Sequence, residues 1–262
     1  MTGIGSSGGP SSGVGSQIQY FARALRAPRI GDAFARLGDQ ARDAGWSHEE
    51  YLAAVLSREV SEREASGAAL RIKAARFPGH KTLEDFNFEH QISADRNLIA
   101  HLGTSVFLTE GKNVVLLGPP GTGKTHLAVG IGIQAAKHGH RVLFDTATGW
   151  VTRLQEAHSR GKLSAELIRL RRYSLLIVDE VGYIPFDQDA ANLFFQLVSS
   201  RYEHASLILT SNLPFARWGD VFGDATIASA MIDRIVHHAD VLSLKGASYR
   251  LKNRETAVTT PR

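Results

Sequence analysis

Hydrophobic positions divide the chain into two regions with different periodicity. From Gln17 to about Lys81 the pattern is helical, rich in Ala, Leu and Arg and without runs of β-branched residues. From Asn113 to Gly246, short apolar runs alternate with segments of helical pattern. The first region predicts a small all-helical domain, and the second predicts an α/β fold built on a parallel sheet.

Five apolar runs in the second region are interpreted as strands. The run Leu175-Leu176-Ile177-Val178 has the near-continuous aliphatic composition of a strand that is buried on both faces, as in a parallel sheet flanked by helices. We therefore predict a five-stranded parallel sheet with strands over Asn113–Gly118, Arg141–Thr146, Ser174–Glu180, Ser206–Asn212 and Asp240–Gly246.

One helix of the first region has a defined start and end. Ser47 and Glu50 have the spacing of a capping box, in which each side chain bonds to the backbone N–H of the other residue. The helix is predicted to continue to about Arg76, before Pro78-Gly79 stops it. Residues 1–16 are rich in Gly and Ser and cannot bury much apolar area, so we expect a disordered tail.

A phosphate-binding loop follows the first predicted strand. Its motif, Gly-x-x-x-x-Gly-Lys-Thr, spans Gly118, Pro119, Pro120, Gly121, Thr122, Gly123, Lys124 and Thr125. Gly121 and Gly123 tolerate positive φ, which lets successive N–H groups point at one anion. Lys124 adds a charge for the β- and γ-phosphates, and the Thr125 hydroxyl suits Mg²⁺. A simple Gly-Pro turn would leave the flanking strand and helix patterns unexplained. The motif predicts ATP and Mg²⁺ as ligands, with His126 completing the nucleotide-binding stretch.

Two acidic residues end the third predicted strand. Asp179 and Glu180 lie at its carboxyl end, where open α/β sheets bind ligands. We expect Asp179 to hold Mg²⁺ and Glu180 to act as general base on the attacking water. The alternative is a pair of ordinary surface acids, and the preceding phosphate-binding loop argues against it. Asn212 ends the next strand and could position the same water, although asparagine at a strand end is often only a turn residue.

Two arginines near the C-terminus could stabilise γ-phosphate charge, in the same chain or from a neighbouring subunit. They are Arg234 and Arg250, and composition alone favours solvated surface positions for both.

The ordered set of motifs resembles that of the IstB-like ATPases. These are transposition helper proteins of insertion sequences, similar to DnaC-type helicase loaders within the AAA+ class of P-loop NTPases. The resemblance extends from about Tyr20 to Lys252. It rests on Gly-Pro-Pro-Gly-Thr-Gly-Lys-Thr-His-Leu-Ala, Leu-Leu-Ile-Val-Asp-Glu-Val-Gly-Tyr, Thr-Ser-Asn-Leu-Pro-Phe, Asp-Arg-Ile-Val-His-His and Ser-Tyr-Arg-Leu-Lys. Ala247 and Asn87 depart from the family pattern, which commonly has acidic residues there.

The resemblance implies roles for individual residues. Lys124 and Thr125 correspond to Walker A ligands, Asp179 and Glu180 to Walker B, and Asn212 to sensor 1. Arg234 resembles the arginine finger that acts on the ATP of an adjacent subunit, and Arg250 resembles the sensor 2 arginine. These roles imply a head-to-tail homo-oligomer with ATP hydrolysis at its interfaces.

Charge is mild overall, at +4, but it is unevenly placed. Residues 65–83 carry four basic residues and no acid: Arg71, Lys73, Arg76 and Lys81. Residues 150–172 carry six basic and two acidic residues, the basic ones being Arg153, Arg160, Lys162, Arg169, Arg171 and Arg172. Such stripes suit sequence-independent contact with duplex phosphates, and solvated helix faces are the alternative. The resemblance to a DNA-remodelling ATPase favours DNA.

These observations lead to a domain division and a location. We expect residues 17–82 to form a helical DNA- or partner-binding domain, 83–252 the AAA+ ATPase domain, and 253–262 a flexible basic tail. The chain has no cysteine and no N-terminal signal pattern or membrane-length apolar run, which favours a cytoplasmic protein without membrane contact. His237-His238 and His138-Gly139-His140 lack acidic or cysteine partners at ligand spacing, so we do not expect a metal site there.

The leading hypothesis is an ATPase that assembles on double-stranded DNA and assists a cognate transposase in target selection. A helicase loader that binds single strands is the nearest alternative. A small-molecule kinase would need only the phosphate-binding loop, and Asp179-Glu180 argues against it. An ATP-gated DNA architectural protein with negligible hydrolysis is a further alternative, which Glu180 disfavours.

Overall fold

The computed structural model describes residues 12–246 together with Ser248 and Tyr249. Residues 1–11, Ala247, Arg250 and 251–262 lie outside the described part, so the predictions for Arg250 and for the C-terminal tail stay predictions. Contacts divide the chain into two compact units, residues 1–67 and 68–262, with the division inside one long helix. Residues 68–82, which the sequence assigned to the helical region, therefore belong to the unit that contains the sheet.

The first unit is helical. Its helices are α1 (Ser12–Ala24), α2 (Pro28–Ala44) and the first part of α3 (His48–Ala74). The capping box at the start of α3 is present: Ser47 N–H donates to Glu50 Oε2 at 2.7 Å, and Glu50 N–H donates to Ser47 Oγ at 3.2 Å. Residues 12–16 are helical rather than disordered, because a helix that is already nucleated extends at little further cost.

The second unit contains a five-stranded parallel sheet. Its strands are β1 (Asn113–Leu117), β2 (Val142–Thr146), β3 (Leu175–Val181), β4 (Ser206–Ser211) and β5 (Ala239–Ser243), in the spatial order β2-β3-β4-β1-β5. All five predicted strands exist, each within a few residues of its predicted bounds, and all pairings are parallel. The predicted fold class is confirmed.

Helices cover both faces of this sheet. They are α4 (Arg96–Gly103), α5 (Val106–Thr109), α6 (Lys124–Lys137), α7 (Ala147–Ser159), α8 (Leu163–Leu170), α9 (Gln188–Arg201), α10 (Trp218–Phe222) and α11 (Ala225–Val236). One core cluster joins α6 to alternate strand residues such as Val114 and Ile177. The other joins α7, α9 and α11 to the intervening residues, such as Val115 and Leu176. None of the helices in the described residues is long and apolar enough to cross a bilayer.

This order of strands determines where the predicted site residues come together. β4 lies between β1, which leads into the phosphate-binding loop, and β3, which ends in the two acids. Because the strands are parallel, their carboxyl ends share one edge of the sheet. Asn212 directly follows β4 and therefore lies between the loop and the acids, one strand from Asp179.

Candidate nucleotide-binding site

The phosphate-binding loop has the backbone conformation that its glycines predict. Gly121 and Gly123 have φ of +80° and +96°. A Cβ at Gly123 would approach Phe86 Cε2 to 2.6 Å, so both the dihedral angle and the available space require glycine there. α6 begins at Lys124, and its N-terminus therefore points its unpaired N–H groups into the loop.

Lys124 and Thr125 are both tied into the surrounding structure. Lys124, which is 9% exposed, donates from Nζ to the carbonyl oxygens of Gly118 at 2.6 Å and Pro119 at 2.8 Å. Thr125 Oγ1 lies 3.0 Å from both carboxylate oxygens of Asp179. A hydroxyl and a carboxylate in contact beside a phosphate-binding loop match the oxygen ligands that Mg²⁺ prefers.

The two acids differ in environment although they are adjacent. Asp179 is 4% exposed, whereas Glu180 is exposed and has a positive φ of 64°. The register between β3 and β4 shifts at this point, where Asp179 and Glu180 together oppose the single residue Thr210. The exposed carboxylate of Glu180 at the strand end is accessible to water, as a general base requires.

A cavity of about 300 Å³ adjoins the loop. Its wall is formed by residues 121–126 on one side and by side chains that precede α4 on the other. The latter are Lys81, Asp85, Phe86, Asn87, His90 and Gln91, and Tyr249 completes the wall. A cavity of this size next to a phosphate-binding loop has room for a nucleoside.

The segment that precedes α4 also holds the loop in place. The buried side chain of Gln91 donates to the carbonyl of Thr122 at 3.1 Å, and the His126 ring nitrogen Nε2 lies 2.7 Å from the carbonyl of Thr82. The Phe86 ring packs edge-to-face against the His126 ring, with ring centroids 5.4 Å apart. Apart from the basic Lys81, the sequence singles out only Asn87 of this segment, as a departure from the family pattern, and it assigns the contacts with the loop to no residue.

Besides Lys124 of the loop, Lys81 and Asp85 bring charge to the cavity wall. Lys81 lines the cavity, although the sequence grouped it with a basic stripe. Hydrogen bonds from the Thr82 hydroxyl and backbone hold the pKa of Asp85 below its usual value, with smaller contributions from His126 and His80. Asp85 is therefore a stable anion at neutral pH.

Arg234 lies outside this cavity. It is in the last turn of α11, where Nη1 donates to the carbonyl of Ala230 at 3.0 Å and the guanidinium lies 4.8 Å from the centroid of the Phe195 ring. α11 leads into β5, whose first residue pairs with the first residue of β1. The end of α11 is therefore at the amino-terminal edge of the sheet, opposite the phosphate-binding loop of the same chain.

Half of the residues in the second basic stripe are paired with acids. Arg153 and Arg169 both bond to Glu166, at 2.6 and 2.7 Å, and Arg160 lies 3.7 Å from Glu156. The exposed guanidinium of Arg171 donates to the carbonyl of Ser200. The stripe keeps its positive excess, but three of its arginines bond to acids of α7 and α8, and Arg171 bonds to α9.

The histidine pair has a partner that sequence spacing did not reveal. Glu203, in the turn after α9, brings a carboxylate next to His237 and His238, with ligand atoms of the three side chains within 4.8 Å of one another. All three residues are exposed, and His237 Nδ1 already lies 3.2 Å from the hydroxyl of Tyr202. His238 precedes β5, so this cluster lies at the sheet edge opposite the nucleotide cavity.

Comparison with known proteins gives one consistent result. Residues 21–257 match the family model of the IstB-like ATP binding proteins. An ATP-binding protein of insertion sequence IS21 from Pseudomonas aeruginosa is 43% identical over 84% of this chain and 83% of its own length. An ATP-binding protein of insertion sequence IS5376 from Geobacillus stearothermophilus is 38% identical over 91% of this chain and 95% of its own length.

Solved structures share the fold at lower sequence identity. AMPPCP-bound DnaA from Aquifex aeolicus has a TM-score of 0.52 and 22% identity, over 70% of this chain and 56% of that one. The DnaC helicase loader has a TM-score of 0.51 and 23% identity, over 67% of this chain and 99% of that one. These similarities show that the chain shares its fold with DnaA and the DnaC helicase loader.

Proposed function

Because the chain belongs to the family of IstB-like ATP binding proteins, we propose that it hydrolyses ATP at the seam between two subunits assembled head-to-tail on double-stranded DNA. The observation that carries this proposal is the separation of the site into two parts. Thr125, Asp179, Glu180 and Asn212 lie at one edge of the sheet, whereas Arg234 lies toward the other edge. A second copy of the chain is needed to bring Arg234 to the γ-phosphate.

Each residue has a defined task in this proposal. Lys124 and the N–H groups of the loop bind the phosphates, and Asp179 with Thr125 holds the metal. Mg²⁺, when bound, neutralises charge that develops on the β- and γ-phosphates. Glu180 accepts a proton from the attacking water, while Asn212 orients that water.

The cavity beside the loop is proposed to take the adenine base. Phe86, His90 and Tyr249 offer aromatic edges and faces for a flat ring, and the His90 and Tyr249 rings lie 4.9 Å apart in an edge-to-face arrangement. Arg250 directly follows Tyr249 in the chain, and its sensor 2 role stays a proposal from the family resemblance.

The DNA part of the proposal rests on charge and on family membership. The relatives are ATP-binding proteins of insertion sequences, and the basic residues over α7 and α8 offer sequence-independent contact with phosphates. We propose that the DNA-bound assembly, in the cytoplasm, assists the transposase of its own insertion sequence in choosing a target. Residues 17–82 are proposed to add DNA or partner contacts.

One experiment tests the central claims together. ATP hydrolysis is measured beside mass in solution, with no DNA, with duplex DNA and with single strands of equal length. We expect duplex DNA to raise both the mass and the rate, because assembly completes each site. A preference for single strands would instead indicate a helicase loader. A hydrolysis rate per subunit that stays the same at every protein and DNA concentration would contradict hydrolysis at a subunit interface.

Mixing two inactive variants tests the trans role of Arg234. Arg234→Ala keeps its own phosphate-binding loop, and Lys124→Ala keeps its arginine. In an equal mixture about a quarter of head-to-tail interfaces combine an intact loop with an intact arginine, and that fraction of activity returns. No recovery at any ratio, with assembly intact, would rule out the trans role.

A further inference from the structure

Thr210 is buried inside the candidate site, and no sequence motif assigns it a role. It is 1% exposed and lies in β4, two residues before Asn212. Its side chain lies on the same face of β4 as that of Ile208, because side chains alternate along a strand. Ile208 packs in the core cluster that contains α6, the helix in whose first turn Thr125 lies. A polar side chain at such a buried position needs hydrogen-bond partners to offset its lost hydration.

The partners of the Thr210 hydroxyl are the two acidic residues themselves. Oγ1 donates to Asp179 Oδ1 at 2.5 Å and accepts the backbone N–H of Glu180 at 3.0 Å. Asp179 in turn accepts from the Thr125 hydroxyl. One hydroxyl therefore connects the residue proposed to hold the metal with the residue proposed to activate water.

The backbone at this point has an irregular form that the hydroxyl accommodates. Val178 pairs with Leu209 and Val181 pairs with Ser211, so two residues of β3 oppose Thr210 alone, which is a β-bulge. The bulge shifts the alternation of side chains between the two faces of the sheet by one residue. As a result, Val178 and Val181 pack in the same core cluster although they are three residues apart. Glu180 occupies the left-handed region, which a residue with a side chain adopts only when its surroundings hold it there.

We propose that Thr210 is a positioning residue, whose hydroxyl sets the Asp179 carboxylate toward Thr125 and holds the bulge that presents Glu180 to water. This inference rests on the proposed ATPase function. Donation to Oδ1 fixes the rotation of the carboxylate and leaves Oδ2 next to Thr125 at the phosphate-binding loop. Acceptance of the Glu180 N–H replaces a strand partner at the bulge, where the regular register is interrupted.

The test compares Thr210→Ser with Thr210→Val. Serine keeps the hydroxyl and loses a methyl group, whereas valine keeps the shape and loses the hydroxyl. Partners that orient metal ligands typically account for about 10- to 100-fold in activity or metal affinity. We expect Thr210→Val to lower kcat by about that factor. ATP affinity is also titrated once with Mg²⁺ and once with EDTA, and we expect the ratio of the two affinities to be about 10-fold smaller in Thr210→Val than in the wild type.

Thr210→Ser is expected to stay within about threefold of wild type in both measurements, because its hydroxyl reaches the same partners. Thr152→Val is the matched control, since Thr152 is exposed on α7 and its hydroxyl donates to the carbonyl of Thr148 in the same helix. If Thr210→Val does not fold, Thr210→Ala replaces it, because alanine and serine differ only by the hydroxyl.

The outcomes separate this inference from the function on which it rests. Wild-type activity and Mg²⁺ dependence in a folded Thr210→Val would overturn the positioning role. An equal loss of kcat and of Mg²⁺-dependent ATP affinity in Thr210→Ser and Thr210→Val would overturn it as well. Such a loss would be due to altered packing and not to the missing hydroxyl. A wild-type protein that binds ATP but never hydrolyses it would instead refute the proposed function, while the Mg²⁺ titration would still test Thr210.

Discussion

The two ends of the sheet both bury polar side chains, but they bond them to different partners. At the amino-terminal end, Arg201 donates to the carbonyl oxygens of Leu170, Tyr173, Ser174 and Ser206. Asn113 there accepts the N–H of Leu207 and donates to the carbonyl of Ile235. At the carboxyl end, Thr125, Asp179 and Thr210 bond chiefly to one another through their side chains.

This difference separates structural from functional polar groups. A side chain that bonds to backbone carbonyls has partners that move only if the strands move, so its contribution is to stability. Side chains that bond to one another can exchange a partner for a ligand by rotating about single bonds. We therefore expect substitutions at the amino-terminal end to change unfolding, and substitutions at the carboxyl end to change binding and turnover.

The largest effect is expected for Glu180→Gln, at the carboxyl end. The amide has the same shape but cannot accept a proton, so kcat falls by about 1000-fold, within the range for loss of a general base. ATP affinity and the unfolding temperature stay unchanged, because Glu180 is exposed. Steady-state hydrolysis measures kcat, and calorimetric titration measures the ATP affinity. Glu110→Gln, an exposed carboxylate before β1, is the control, and equal turnover in both variants would remove Glu180 from the mechanism.

The next effect is expected at the amino-terminal end, for Arg201→Met. Burial lowers the pKa of Arg201 to about 9, and the residue is 1% exposed. Methionine fills much of the space but removes the four hydrogen bonds that the guanidinium donates. The carbonyl oxygens of Leu170 and Ser174 each keep a backbone donor, and the loss of the four bonds costs about 3 kcal/mol of unfolding free energy. Urea denaturation measures this loss. ATP affinity per folded molecule stays at the wild-type value.

The exposed Arg172 provides the matched control, and Arg172→Met is expected to change stability by less than about 0.5 kcal/mol. An Arg201→Met protein of wild-type stability that no longer binds ATP would reverse the assignment of the two ends.

Features with a local signal in the sequence could be predicted. The five strands follow from their aliphatic composition, and the phosphate-binding loop follows from residue spacing. Asp179 was expected near Thr125 because both residues were assigned to Mg²⁺, and their side chains are in contact. The roles of these residues in catalysis stay predictions.

Features that depend on residues far apart in the chain could not be predicted. The bulge opposite Thr210 leaves no periodic trace, because Leu175 to Val181 is apolar on both sides of the two acids. Phe86 and Gln91 reach the loop across more than thirty residues of sequence (31 for Gln91 and Thr122), so only the folded chain shows the contact. An arginine such as Arg201 is expected at the surface, and only the folded structure shows that it is buried against carbonyl oxygens.

The smallest expected effect is the stabilisation of the fold by bound ATP, which distinguishes substitutions at the two ends of the sheet. ATP with Mg²⁺ at about 100 times its dissociation constant stabilises a folded protein by about 2.7 kcal/mol. For a chain of this size that corresponds to a rise of about 5 to 10 °C in the unfolding temperature. Lys124→Ala is expected to abolish the rise, because it removes the charge that binds the phosphates, whereas Arg201→Met keeps the rise from a lower starting temperature. Differential scanning calorimetry with and without nucleotide distinguishes these cases. A full rise in Lys124→Ala would show that the phosphate-binding loop does not carry the affinity.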